Sequence, residues 1–111
     1  MIFIGTAGDD TLTDAASPGT DDGFFGLAAN DLLISNSGRD TLDGDTGFDT
    51  ADFSGRATSV SVNLVTGQEA NSLSSLIGIE GVVASVFGDN ITGSGAADDL
   101  RGLAGDDVIA A

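Results

Sequence analysis

Four aspartates, Asp22, Asp31, Asp40 and Asp49, follow one another at an unbroken spacing of nine residues, and each is followed two positions later by Phe24, Leu33, Leu42 or Ala51. A second series, Glu80, Asp89, Asp98 and Asp107, keeps the spacing and is followed by Val82, Ile91, Leu100 and Ile109 in the same phase. With 18 Asp plus Glu in 111 residues, isolated coincidences at nine residues are expected. The apolar partner in constant phase makes chance a poor account, and a fixed short period marks a stacked repeat architecture. Gly5-Thr6-Ala7-Gly8-Asp9-Asp10-Thr11-Leu12-Thr13 is a further copy, with Asp10 twelve residues before Asp22; a three-residue insertion around Asp14 to Pro18 accounts for the slip.

Each repeat offers a glycine-containing turn, an acidic residue that ends it, and a very short strand with an apolar middle residue. A strand of about three residues cannot bury its face alone, so the repeats must stack into an all-β solenoid with a ladder of Leu, Ile, Val and Phe inside. Between the two series, Val60, Val62 and Leu64 alternate with polar residues, which predicts a strand of about six residues and a turn at Thr66-Gly67. Ser72 to Ile79 reads as one more coil in preference to a short helix, because Gly78-Ile79-Glu80 leads in phase into the second series. The chain is expected to be a single module over 1–111, with a first repeat block at 1–54, a spacer strand and coil at 55–79, and a second block at 80–111. Of the adjacent Phe24 and Phe25, one is expected in the core and the other exposed.

The formal charge of -15, with Arg39, Arg56 and Arg101 as the basic residues, opposes a compact state unless cations are bound, and excludes a phosphate-binding surface for nucleic acid. His and Cys are absent, which removes zinc sites, thiolates, disulfides and the usual general base. Without Lys, Tyr or Trp either, a catalytic reading has only carboxylates to work with, and no enzyme is expected. Met1-Ile2-Phe3-Ile4 is too short for a signal-peptide core, and no apolar run is long enough to span a bilayer.

If two repeats make one coil, turns on the same side lie eighteen residues apart, which pairs Asp22 with Asp40, Asp31 with Asp49, Glu80 with Asp98, and Asp89 with Asp107. Stacked carboxylates repel, and a divalent cation between successive turns converts repulsion to attraction. Calcium suits such a gap, since it takes six to eight oxygens in loose geometry whereas magnesium demands a tight octahedron. Folding is therefore expected to be coupled to calcium. Asp43, Asp45 and Asp52 fall outside this phase and read as exposed turn or strand-edge residues. Asp43-x-Asp45-x-Gly47-x-Asp49 is not a helix-loop-helix calcium loop, because Ser54 stands where the twelfth-position Glu would be.

Gly102-Leu103-Ala104-Gly105-Asp106-Asp107-Val108-Ile109-Ala110 and Gly44-Asp45-Thr46-Gly47-Phe48-Asp49-Thr50-Ala51-Asp52 resemble the nonapeptide of the RTX, or hemolysin-type, calcium-binding repeat family. The stretch from Asp49 through Val60-Ser61-Val62-Asn63-Leu64 to Glu80 is similar to the spacer between blocks of that family. The resemblance implies a right-handed parallel β-roll whose turns give calcium Asp side chains and backbone carbonyls. Carried over by position, the ligands are Asp10, Asp22, Asp31, Asp40, Asp49, Asp89, Asp98 and Asp107, with Glu80 as a further candidate. Ala29, Ala96 and Thr20 replace the second turn glycine, so those turns are expected to be strained, differently shaped or empty of metal.

The resemblance also implies a secreted, extracellular bacterial protein exported through an uncleaved C-terminal signal. The chain stops inside a repeat at Val108-Ile109-Ala110-Ala111, so a covalently linked passenger or further repeats in a longer chain are expected. The alternative function is a metal-stiffened segment of a large adhesin or surface layer. An acidic tail disordered without metal is a third reading, opposed by the apolar phase.

Overall fold

Each turn that ends in an acidic residue releases the chain into three extended residues, and the next turn takes it back across the molecule. In the computed structural model, which describes residues 1–14, 19–95 and 98–110, this gives thirteen short strands and no helix. They are β1 (Ile2–Ile4), β2 (Thr11–Thr13), β3 (Gly23–Phe25), β4 (Leu32–Ile34), β5 (Thr41–Asp43), β6 (Thr50–Asp52), β7 (Ser61–Asn63), β8 (Gln68–Glu69), β9 (Ser74–Ile77), β10 (Gly81–Val83), β11 (Asn90–Thr92), β12 (Asp99–Arg101) and β13 (Val108–Ala110).

The strands form two open sheets, one ordered β1-β3-β5-β9-β8-β7-β11-β13 and the other β2-β4-β6-β10-β12. Outside β7, β8 and β9, which share one sheet, successive strands alternate between the sheets, and neighbours within a sheet are parallel except around β8. This is the expected parallel β-roll. The register aligns the middle residues: Phe3, Phe24, Leu42 and Leu76 in one sheet, and Leu12, Leu33, Ala51, Val82 and Leu100 in the other. Phe24, Leu33, Leu42, Ala51, Val82 and Ile91 are fully buried and form one cluster with Phe53, Val60, Val62 and Leu76. Phe24 is the core member of its pair, and Phe25 is half-buried.

The spacer departs from expectation. The strand at β7 has three residues and not six, because the Asn63 carboxamide accepts the N–H groups of Val65 and Thr66 (2.9 and 3.2 Å) and turns the chain at once. β8 then runs antiparallel to both β7 and β9, an element with no signal in the sequence. Ser72 to Ile79 does contain a strand of the stack, β9, beside β5. The excursion puts three strands in one sheet between β5 and β11, while β6 and β10 stay adjacent in the other.

Candidate metal sites in two ladders of turns

On one side of the roll lie the turns 5–10, 26–31 and 44–49, followed by the short connection 78–80 and, in the next coil, Gly93 to Gly95 and Asp98. Their acidic residues are linked coil to coil. The backbone N–H of Asp10 donates to Asp31 Oδ1 (2.9 Å), that of Asp31 to Asp49 Oδ1 (2.8 Å), and that of Asp49 to Glu80 Oε1 (2.9 Å). One oxygen of each carboxylate thus holds the stack together. Among the described residues, the second oxygens of Asp31 and Asp49 are buried without a hydrogen-bond partner. An unpaired buried carboxylate oxygen is costly, so its presence in pairs across a ladder points to a cation.

The two turns also share one backbone shape: Leu27 and Ala29 (φ 73° and 72°) and Asp45 and Gly47 (φ 63° and 107°) take positive φ at corresponding positions. Ala29 therefore keeps the turn shape although it carries a β-carbon; its turn is strained but not reshaped. Turn packs on turn: the N–H of Thr46 donates to Leu27 O (3.1 Å) and that of Phe48 to Asn30 Oδ1 (2.8 Å). A β-carbon on Gly26 or Gly44 would overlap the carboxylate of Asp31 or Asp49. Burial, helped by the charges of Asp31 and Glu80, pushes the Asp49 carboxyl up to about 6 against the pull of the Asp31 N–H.

The opposite side carries a second ladder. The Met1 ammonium donates to Asp22 Oδ1 (2.9 Å), the N–H of Asp22 to Asp40 Oδ1 (2.9 Å), and that of Asp40 to Ser74 Oγ (2.9 Å). Beyond the spacer, the N–H of Val60 donates to Asp89 Oδ1 (2.8 Å) and that of Asp89 to Asp107 Oδ1 (2.9 Å). Asp89 Oδ2 is a third buried carboxylate oxygen without a partner among the described residues. The turn 102–107 has the double left-handed form at Leu103 and Gly105 (φ 63° and 96°). Burial also raises the Asp40 carboxyl, against the Ser35 hydroxyl and the Asp22 N–H, which lower it.

The pairings predicted at eighteen residues, Asp22 with Asp40, Asp31 with Asp49 and Asp89 with Asp107, are hydrogen-bonded neighbours. Glu80 faces Asp98 through adjoining strands, since Gly81 aligns with Asp99. Asp10 joins the ladder through Asp31, although its own carboxylate is taken by the N–H and hydroxyl of Thr6. Asp98 is held the same way by Ser94. Residues 15–18 of the expected insertion, and Ala96, lie outside the described residues. Thr20 does not take the left-handed conformation; Gly19 beside it does (φ 76°).

Asp43 and Asp52 cap their own turns, each accepting the N–H two residues on (3.0 and 2.8 Å). Sequence reasoning missed Asp14. It is buried, and one carboxylate oxygen of each of Asp14, Asp22 and Asp40 lies within 4.8 Å of the others. Its signal was its place directly after a strand, where Ser35 stands one coil later.

The family model of the RTX calcium-binding nonapeptide repeat matches residues 2–16, 19–51 and 84–111, with four copies. No curated protein and no solved structure matches the chain. The unmatched stretch 52–83 contains the spacer strands. Repeats of this family are structural calcium-binding modules, and the paired carboxylates described above fit that ion, which takes hard oxygen donors in loose geometry. Two-thirds of the sequence thus falls under one repeat signature, and the chain belongs to the RTX calcium-binding nonapeptide repeat family.

Proposed function

We propose that the chain is the calcium-folded repeat module of a secreted bacterial protein, in which bound calcium completes the roll outside the cell. The observation that carries this reading is the half-satisfied ladder of Asp31 and Asp49: one carboxylate oxygen of each is spent on the stack, and the other is buried and unpaired among the described residues. Calcium between the turns 26–31 and 44–49 would take those oxygens together with turn carbonyls. Asp10, Asp89, Asp98 and Asp107 end equivalent turns and are the further proposed ligands, with Glu80 closing the Asp49 coil. Asp22 is proposed with them, whereas Asp40 already faces a fixed cation, Arg56.

Calcium supplies positive charge to a chain of formal charge -15, and four ions would offset about half of it. Inside a cell, where free calcium is scarce, the uncompensated ladders oppose folding; outside, affinity on the order of 10⁻⁴ to 10⁻³ M suffices. That difference supports a module that stays unfolded until export and then serves an attached passenger or further repeats. Secretion is the usual setting of RTX repeats. Calcium binding measured by calorimetry tests the site: Asp31→Asn and Asp49→Asn each lose at least one ion, and Asp45→Asn, at an exposed position, loses none. Equal binding by all three variants would sink the assignment.

A further inference from the structure

Ser35 stands directly after strand β4, the position that glycine takes in turns 26–31, 44–49 and 102–107. Its hydroxyl donates to Asp40 Oδ2 (2.5 Å). Arg56 reaches the same place from the next coil: its Nε donates to the Ser35 carbonyl (3.0 Å), its Nη2 donates to the Ser35 hydroxyl (2.5 Å), and Nη2 lies 3.5 Å from Asp40 Oδ2. A tight turn aims it there, the Arg56 N–H donating to Phe53 O (3.0 Å), and the guanidinium lies 5.5 Å from the centre of the buried Phe53 ring. Arg56 itself is only 9 % exposed.

A carboxylate oxygen, a backbone carbonyl and a hydroxyl converging on one point are donors of the kind calcium takes. Here a guanidinium meets them. The corresponding second oxygens of Asp31, Asp49 and Asp89 have no partner among the described residues, whereas that of Asp40 has two. We propose that Arg56 is a built-in cation standing at the Asp40 turn where calcium stands at the others, so that this turn closes without metal. The proposal rests on the calcium reading of the other turns.

The rest of this ladder's centre is likewise held by protein donors. The N–H groups of Asn36 and Ser37 cap Asp14 (3.0 and 3.2 Å). Across the spacer, Glu69 accepts the N–H groups of Ser61, Asn71 and Ser72 (2.8, 2.9 and 2.7 Å), and Ser72 bonds Ser74 (2.7 Å), which accepts from Asp40. The two sides of the roll therefore differ: one depends on ions through its middle, and the other carries its own charge compensation there.

The test is the number of calcium ions bound per chain at saturation, by equilibrium dialysis with radioactive calcium, for the wild type, Asp49→Asn, Asp40→Asn and Arg56→Gln. Asp49→Asn is expected to lose at least one ion, Asp40→Asn to keep the wild-type number, and Arg56→Gln to gain one, as calcium enters the place of the guanidinium. Loss of an ion in Asp40→Asn, or an unchanged number in folded Arg56→Gln, overturns the proposal and leaves the calcium reading intact. If both aspartate variants keep the full number, the calcium reading at Asp49 fails, and Arg56→Gln decides the proposal alone. Arg56→Gln that stays unfolded in saturating calcium also overturns it.

Discussion

The backbone N–H of Asp31 donates to Asp49 Oδ1 across 2.8 Å, and on the far side of the same carboxylate Oδ2 is buried with no partner among the described residues. A single side chain therefore does two jobs, fastening one coil to the next and presenting charge to the gap between turns. The fastening gives the roll its register. The unpaired oxygen is a buried charge that a cation would satisfy.

Burial pushes the Asp49 carboxyl up to about 6, well above the usual carboxylate range. A carboxyl with a raised folded-state pKa favours the fold fully below the unfolded value, and that contribution is lost as pH rises through the folded one. In calcium-free buffer the far-UV β signal should be larger at pH 4 than at pH 7, where the chain lacks the fold without its ion, and Asp49→Asn should shrink the difference. Calcium affinity should run the other way, rising as pH passes 6 and the competing proton leaves. A calcium-free β signal that grows from pH 4 to pH 7 would contradict this account of Asp49.

Gly47 is required twice over. Its φ is 107°, and a β-carbon there would overlap the carbonyl of Ala29 in the adjoining coil. Gly95 has φ 85° with open space around it. Chemical denaturation of Gly95→Ala should report about 1 kcal/mol of lost stability, the conformational cost alone, whereas Gly47→Ala should lose about 2 to 4 kcal/mol because the stack must also part. Equal losses would show that the turns do not pack as described.

Ala29 holds φ 72° without glycine's freedom. Replacing it with glycine removes about 1 to 2 kcal/mol of left-handed strain and costs about 0.5 to 1 kcal/mol in unfolded-state entropy. Ala29→Gly should accordingly stabilise the calcium-bound protein by about 0.5 kcal/mol, read from denaturant midpoints at constant slope.

Leu33 is fully buried between Leu12 and Ala51 in the five-stranded sheet. Leu33→Ala leaves a cavity in a core one residue thick and should cost about 2 to 5 kcal/mol. Leu32, its half-buried neighbour, points away from the ladder, and Leu32→Ala should cost less than half as much. Equal costs would mean that the inward phase has been misread.

The nine-residue phase made the repeating part of the fold legible, since one spacing fixes both the residue that turns inward and the residue that ends the turn. Leu33, Leu42, Asp31 and Asp49 all stand where that spacing puts them. β8 was not legible: Gln68 and Glu69 have no alternation to read, and the strand exists because Glu69 collects N–H groups brought to it by the fold. Arg56 was read only as one of three scattered basic residues, for its meeting with Ser35 and Asp40 depends on stacking of coils about twenty residues apart in sequence. Ala29 was expected to disturb its turn, but the hydrogen bonds of Thr46 and Phe48 impose the shape of the neighbouring turn on it.

The central claim, that calcium completes the roll, is tested most directly by far-UV circular dichroism during titration of calcium into chelator-treated protein, with magnesium as the control. The account predicts a cooperative gain of β signal with calcium and none with magnesium at equal concentration. A folded β spectrum that is already present in chelator and unchanged by calcium would contradict it.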